Sequence, residues 1–441
     1  MKTKKGSYNA IVCHLSNVQT HPNADRLKIA QASGYSVIVG SNASEGDLGV
    51  LFPEGGQISE NVLIENSLYR KHPHTGEKMG GYFESSGRVK SCKLRGQISE
   101  GFFTGTDIIG SAGVNLKDGD EFCEIDGRVI CKKYLSPATI KAINQAKTAY
   151  IKPWWVPNLL KNIHKQFILS KVALDRCPSF RKHFDTPKLR NCVHTIPGGL
   201  TAILTVKKHG TSGRTGYVPY KSGWFGRPRY RYVTGTRNVT YNPDTFGKNT
   251  DTGFYKGTNF RFQAHERVIA KGLRKDEIVY YEILGFSGPS TPIMPNHKLK
   301  KSDFKNAGYS AEEFQSLLDT YGDEITYHYG NDPGDFSIEV YRITQDGVDL
   351  NFQEMSDRCV ELGLRGVHVV AMTTSEDNLM KESEYYSKDV DLGNQLREGI
   401  VIRLEDSGEF VKMVKYKSFT FCTLEGIRSN DPNEVNLEEV S

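Results

Sequence analysis

The 441-residue chain has 37% hydrophobic and 25% charged residues, the balance of a folded globular protein and not of a disordered or fibrous one. Its length suits two or three domains, and no run of eighteen apolar residues suggests a membrane span. The net charge of +5 hides an asymmetry: between Lys132 and Arg237, 21 Lys or Arg stand against only Asp175 and Asp185. That block is interleaved with aromatic residues, a pattern that favours a polyanionic partner over a merely solvated basic surface.

The eight cysteines are scattered without a CxxC pair, which argues against a secreted disulfide framework or a zinc ribbon. Free thiols in a reducing compartment are expected, in cytoplasm or nucleus, with phage or organelle origin left open. The N-terminus MKTKKGSYNAIVCHLSN is basic but lacks the apolar core and cleavage site of a signal peptide.

In chain order, residues 8–131 read as short strands separated by Gly, Pro, Asn and Asp, as in Tyr35–Gly40, Leu48–Pro53, GRVKSCKLRG and GRVICKK; such a pattern predicts a small barrel. Within it, VQTHPNADRLKIA (18–30) and LRGQISEGFF (94–103) resemble the OB-type barrel of tRNA-binding and related nucleic-acid modules. Residues 1–133 are therefore expected to form an OB-like nucleic-acid-binding domain. Residues 134–190 read as a basic helical connector, with apolar residues at three- and four-residue spacing in 138–147 and 159–176, interrupted by Pro153, Pro157, Pro178 and Pro187. From 191 to 427 strands such as TAILTVKK, EIVYYEILGF, FSIEVYRIT and EGIVIRLE alternate with helical segments such as SAEEFQSLLDTYG. The stretch 428–441 reads as a polar, acidic tail.

TAILTVKKHGTSGR places Lys207 where an apolar strand gives way to a Gly-bearing turn, a position that projects a side chain into a pocket. An ordinary lysine, with a pKa near 10.4, is a poor nucleophile at neutral pH; covalent lysine chemistry needs desolvation or neighbouring cations to change that. KxxG alone is common and carries little weight.

Here the chain resembles the covalent nucleotidyltransferases: RNA ligases, DNA ligases and mRNA capping enzymes. Their first motif, Lys-x-(Asp/His/Asn)-Gly, is matched by Lys207-Lys208-His209-Gly210, and only Lys207 stands three residues before Gly210. Further motifs follow in the family order: TGTRNV with Arg237, YYEILGF with Glu282, VYRIT with Tyr341, REGIVIR with Glu398, and VKYKS with Lys415 and Lys417. The resemblance implies that Lys207 is joined to AMP and that Arg237 and His209-Gly210 contact the nucleotide. It also implies that Tyr341 stacks on the purine, that Glu282 and Glu398 hold Mg²⁺ or Mn²⁺, and that Lys415 and Lys417 grip phosphates. Two carboxylates suit a hard divalent cation, and two lysines two apart on a strand share a face. No GxxxxGK[ST] or GxGxxG offers a rival nucleotide site.

Only 24 residues follow Lys417, too few for the C-terminal barrel usual in DNA ligases and capping enzymes. The order of barrel and motifs looks like the RNA ligases with an N-terminal OB module and a C-terminal nucleotidyltransferase domain, which HFDTPKLRN, IPGG, KKHGTSGR and YRIT also fit. The expected fold class is α+β: an OB-like β-barrel, a helical connector, and a catalytic domain of ATP-grasp-like antiparallel sheets with helices. The expected function is ATP-dependent sealing of 3′-OH and 5′-phosphate RNA ends by a monomer, through lysyl-AMP and RNA-adenylate. Nicks in duplex RNA are the expected substrate, with broken tRNA and RNA–DNA hybrids left open. The alternatives are a DNA ligase, a GTP-dependent capping enzyme, or a non-catalytic RNA-binding protein. His209 stands where many relatives carry Asp, which leaves a metal-bridging role there open. The Tyr/Gly/Arg-rich stretch from Arg214 to Arg261 suits RNA contact, with Arg214, Arg227, Arg229 and Arg231 as candidate residues and a bare surface hairpin as the alternative. His72 and His74 have too few companions for a metal site, and Cys123 and Cys131 are read as unlinked thiols.

Overall fold

Residues alternating between apolar and polar settle into strands wherever one face can be buried, and that rule organises both halves of this chain. The computed structural model describes residues 2–148, 157, 160, 177–184, 186–193, 196–221, 227–237, 239–241, 243, 258–388, 390–391, 395–405 and 412–428. The chain divides into two compact units. The first is Met1–Ser136 with Leu299–Asp323 and the segment from Phe419; the second is Pro137–Lys298 with Glu324–Ser418.

In the first unit, β1 (Ala10–Thr20), β2 (Leu27–Ala32), β3 (Tyr35–Gly40), β4 (Leu48–Pro53) and β5 (Gly101–Gly105) form an antiparallel sheet in the order β3-β2-β1-β4-β5. The Glu100 N–H donates to the Ser36 carbonyl (2.8 Å) and the Ile38 N–H to Ser99 Oγ (3.3 Å). The edge strand β3 thereby meets the lead-in to β5, and the sheet nearly closes into a barrel. The first part of strand β1, Ala10 to Cys13, is buried on both faces. Ile11, Cys13 and Leu15 pack with Tyr35 and Val37, while Ala10 and Val12 pack with Phe52, Phe83 and Tyr69.

The chain returns twice to this unit, an arrangement that contiguous domains ending at 133 and 427 do not contain. Helix Ala311–Tyr321 begins at a capping box between Ser310 and Glu313. Lys93 pairs with Glu313 and lies over the rings of Tyr309 (4.3 Å) and Phe419 (5.8 Å). Arg88 donates to the Gly426 carbonyl of helix Phe419–Arg428 (3.3 Å). Of the expected connector, helix Pro137–Thr148 is described, opened by a proline whose fixed φ suits a first helical turn; the segment 159–176, apart from Leu160, and the tail from 429 lie outside the described residues.

The second unit holds two antiparallel sheets. One runs β11-β6-β12-β13, from β6 (Thr201–Lys207), β11 (Val369–Thr374), β12 (Gly399–Leu404) and β13 (Lys412–Lys417). The other runs β8-β7-β9-β10, from β7 (Thr211–Tyr220), β8 (Arg229–Gly235), β9 (Glu277–Gly288) and β10 (Phe336–Gln345), and continues to the short Val348–Asp349. Alternation divides the first sheet cleanly. Ala202, Leu204, Ile400, Ile402, Leu404, Val414 and Tyr416 bury one face against Leu189 and Leu379, leaving Thr205, Lys207, Val401, Arg403, Met413 and Lys415 on the other. In the second sheet Ser212, Glu282 and Glu339 stand in register across β7, β9 and β10 and so share a face. Among the described residues, no helix is long and apolar enough to cross a membrane, and all eight cysteines are free thiols.

Candidate active site

The two polar faces line one cavity. Its walls include Lys207, Lys208, Gly210, Ser212, Arg237, Glu282, Glu339, Tyr341, Glu398 and Lys415. Strand β6 ends at Lys207, as its sequence predicts, and the chain crosses to β7 within three residues. Gly210 is needed there for close approach of the two strands: a Cβ would stand 2.6 Å from Leu284 Cδ2 and 2.7 Å from the Ile283 carbonyl of β9. The small residue thus makes room for a neighbouring strand.

Glu398 is the electrostatic centre. It is fully buried; Lys207 Nζ donates to its Oε2 at 2.6 Å, Lys417 Nζ lies 3.0 Å from its Oε1, and His209 Nδ1 is 3.6 Å from Oε2. The Lys417 contact is an ion pair whose angles fall short of a hydrogen bond. Burial pushes the Glu398 carboxyl upward, but Lys207, Lys417 and His209 together hold it well below the usual carboxylate range. It is therefore an anion at neutral pH. Its own N–H donates to the Lys207 carbonyl (2.9 Å), so the carboxylate and the lysine are fixed through backbone as well as side chain.

Lys208 turns to the other sheet, where its Nζ donates to Glu339 Oε1 at 2.7 Å. The pair is almost wholly buried, with side chains 3% and 4% exposed, whereas the Lys207 side chain is 22% exposed. Ser212 Oγ donates to Glu282 Oε2 (3.1 Å). Tyr341 stands beside this pair on the cavity wall, with His183 edge-on to its ring at 5.1 Å. Burial first, and the Glu282 charge second, push the Tyr341 hydroxyl up.

The expected site residues thus divide. Lys207, Gly210, Arg237, Glu282, Tyr341, Glu398 and Lys415 come together around the cavity. His209 lies behind the wall, its N–H donating to Tyr329 Oη (2.8 Å) and its ring edge-on to Tyr327. Lys417 reaches the site through Glu398. Arg214 requires a correction: its guanidinium is buried and donates to the carbonyls of Thr236 (3.1 Å) and Phe180 (3.2 Å) and to Thr240 Oγ1 (3.0 Å), so it holds the sheet together and is not placed to meet RNA. Arg227 and Arg229 are exposed, and Arg231 is half-buried over the Tyr220 ring (5.6 Å). Much of the surrounding aromatic stretch, 222–226 and 244–257, lies outside the described residues. Glu339, His183, Thr186, Met355 and Arg403 also line the cavity, and the sequence motifs single out none of them as site residues.

No protein-family model matches the chain, nor does any curated protein sequence. Solved structures do match in fold. An apo mutant of Naegleria gruberi RNA ligase aligns with 95% of this chain and 99% of its own at 16% identity and a TM-score of 0.59. A mutant of the same organism's RNA ligase with ATP and Mn aligns over 95% and 98% at 16% identity and a TM-score of 0.55, and the RNA ligase with PPi over 93% and 97% at 16% and 0.57. The chain has the fold of those RNA ligases, from the OB-like barrel through the nucleotidyltransferase-type sheets.

Proposed function

We propose that the protein is an ATP-dependent RNA ligase that works through a covalent Lys207–AMP adduct. The observation that carries the reading is a strand-end lysine set against a buried carboxylate, in a cavity whose other walls bring cations and an aromatic ring. The fold neighbours caught with ATP and Mn and with PPi support the same reading.

In the first step Lys207, ion-paired to Glu398 as the ammonium, gives up a proton to solvent, and the neutral amine attacks the α-phosphorus of ATP. A P–N bond forms, the bond to the bridging oxygen breaks, pyrophosphate leaves with the electron pair, and a second amine proton passes to solvent. Lys415 and Lys417 offset charge on the phosphates, Arg237 contacts the nucleotide, and Tyr341 offers a face to the purine. A 5′-phosphate oxygen then attacks the adenylyl phosphorus and releases Lys207, giving an RNA-adenylate. Finally a 3′-OH attacks the activated 5′-phosphate, the phosphodiester forms, and AMP departs. Arg227, Arg229 and Arg231 are proposed to meet the RNA backbone.

A divalent metal fits this donor set in a limited way. No group of three His, Cys, Asp or Glu residues is gathered among the described residues, so these residues offer no closed cage. Glu282, with help from Glu398, would hold a Mg²⁺ or Mn²⁺ whose remaining ligands are water and phosphate oxygens, as Mg²⁺ prefers. Such an ion supplies Lewis-acid neutralisation of phosphate charge.

The test is incubation with α-labelled ATP or GTP and divalent metal, followed by sealing assays on nicked RNA and nicked DNA. The expected result is a Lys207-dependent AMP adduct and sealing of RNA. Absence of an adduct from wild type, or a full-strength adduct in K207A, would overturn the reading; preference for GTP or nicked DNA would move it to a related enzyme.

A further inference from the structure

Two lysines stand side by side at the mouth of the strand, and both reach the cavity wall. Only one can be the nucleophile, and sequence spacing alone does not say what physically excludes the other. We infer that Glu339 makes that choice: by holding Lys208 in a buried ion pair across the gap between the sheets, it leaves Lys207 as the one of the two able to take AMP. The inference rests on the adenylylation reading above and adds a positioning residue to it.

The geometry is asymmetric in the required way. Lys207 is the last residue of β6 and turns to Glu398, which precedes β12 of its own sheet; its side chain keeps 22% exposure toward the cavity. Lys208 has left the strand and reaches Glu339 on β10 of the opposite sheet at 2.7 Å, with only 3% exposure. Its ammonium also lies 5.4 Å from the Tyr329 ring, and Arg365 Nε stands 3.5 Å from the same Glu339 oxygen. Glu398 divides its charge among Lys207, Lys417 and His209. Both lysines donate to a carboxylate, Lys207 at 2.6 Å and Lys208 at 2.7 Å, so what separates them is access: the attacking amine must reach phosphorus in line. Lys208, 3% exposed, is held at the cavity wall by the opposite sheet, whereas Lys207 keeps 22% exposure toward the incoming phosphate.

The register explains why Glu339 holds this post. It lies directly opposite Glu282, and like charges directly opposite across strands repel. Lys208 neutralises one member, leaving Glu282, hydrogen-bonded to Ser212, as the carboxylate offered to a metal–phosphate group. The pair therefore sequesters the competing amine and separates the roles of two facing carboxylates.

The experiment locates the AMP by peptide mass spectrometry after incubation with ATP and Mg²⁺. Wild type should carry AMP on Lys207 alone. In E339Q at least a tenth of the adduct should move to Lys208, and K207A/E339Q should regain an adduct that K207A lacks. E339D, which keeps the carboxylate, should restore labelling to Lys207 alone. Because E339Q strands a buried cation, E339Q/K208M supplies a variant with neither charge, expected to fold and to label only Lys207. An adduct confined to Lys207 in E339Q, with none in K207A/E339Q, overturns the assignment, as does loss of the Lys207 adduct from folded E339Q/K208M. A wild type that forms no adduct at all overturns the adenylylation reading, and this assignment with it.

Discussion

Replacing Glu398 by Gln removes one negative charge from the centre of the cavity while keeping the side-chain volume. Lys207 at 2.6 Å and Lys417 at 3.0 Å then lose the anion they share, and His209 loses its carboxylate neighbour at 3.6 Å. Removing one partner of a buried pair costs about 3–5 kcal/mol because the other charge stays desolvated. Lys207 and Lys417 keep 22% and 14% exposure, so water relieves part of the strain and the lower end, about 3 kcal/mol, is expected. For a unit of this size that corresponds to a fall of about 6–12 °C in Tm. Differential scanning calorimetry of the full chain, following the transition of the second unit, measures it. E398Q/K417M, with one ammonium fewer, should recover at least half the loss, because the neutral amide at position 398 faces a single cation there. Neither variant should form the AMP adduct. A Tm for E398Q within 2 °C of wild type (about 1 kcal/mol or less) would show that Glu398 is not the anion holding these lysines together.

The acid limb of stability should carry a signature of His265. Burial lowers its pKa to about 3, and the ring, beside Thr215 Oγ1 at 3.0 Å, stays neutral in the folded chain. Below about pH 6.5 the unfolded chain binds a proton there that the folded chain refuses, so stability falls by about 1.4 kcal/mol per pH unit as pH drops toward 3. Urea titrations of H265Q between pH 7 and 4.5 should show a shallower loss than wild type; parallel slopes would contradict the assignment. Among the arginines, R214A should destabilise by about 3 kcal/mol through its abandoned carbonyls. R227A and R229A should instead leave Tm unchanged and lower the salt slope of RNA binding by about one each. An R214A protein with wild-type Tm would contradict the burial argument.

How far the sequence reveals the site depends on the kind of information each residue carries. Glu398, in phase with Ile400 but just before β12, is found by its motif and not by alternation. The strand ending at Lys207, the alternation in REGIVIR and the KxK of β13 are local, and period-two logic places Val401, Arg403, Lys415 and Lys417 on one face. The same logic extends to Glu339, which stands two residues before Tyr341, but no motif distinguishes it from any other charge in an apolar strand. Arg214 departs from its expected RNA contact because a basic run says nothing about depth. Its phase with Ser212, Val218 and Tyr220 on β7 is the local signal of burial, since Val218 and Tyr220 are core residues. The two returns of the chain to the barrel unit are not legible. The amphipathic pattern of Ala311–Tyr321 predicts a buried face, and nothing in the pattern says that Lys93, more than two hundred residues away, stands against it.

The charges in the cavity explain why a stable protein keeps so costly a cluster. The lining holds Lys207, Lys208, Arg237, Arg403 and Lys415 against Glu282, Glu339 and Glu398, with Lys417 just behind. Two of the carboxylates are engaged with lysines, so the site has more positive charge than its own anions balance. Hydrophobic residues of similar volume would be as stable or more so, and folding alone gives no reason to retain the cluster. On the proposed function a polyanion supplies one, because a triphosphate entering between the sheets would complete the charge balance and recover desolvation already incurred in folding. On that view Glu339 and Glu398 have one task before ATP arrives, to hold two adjacent lysines apart. On the same reading the nucleotide would displace the restraint on Lys207 alone, since Lys208 is tied to the opposite sheet.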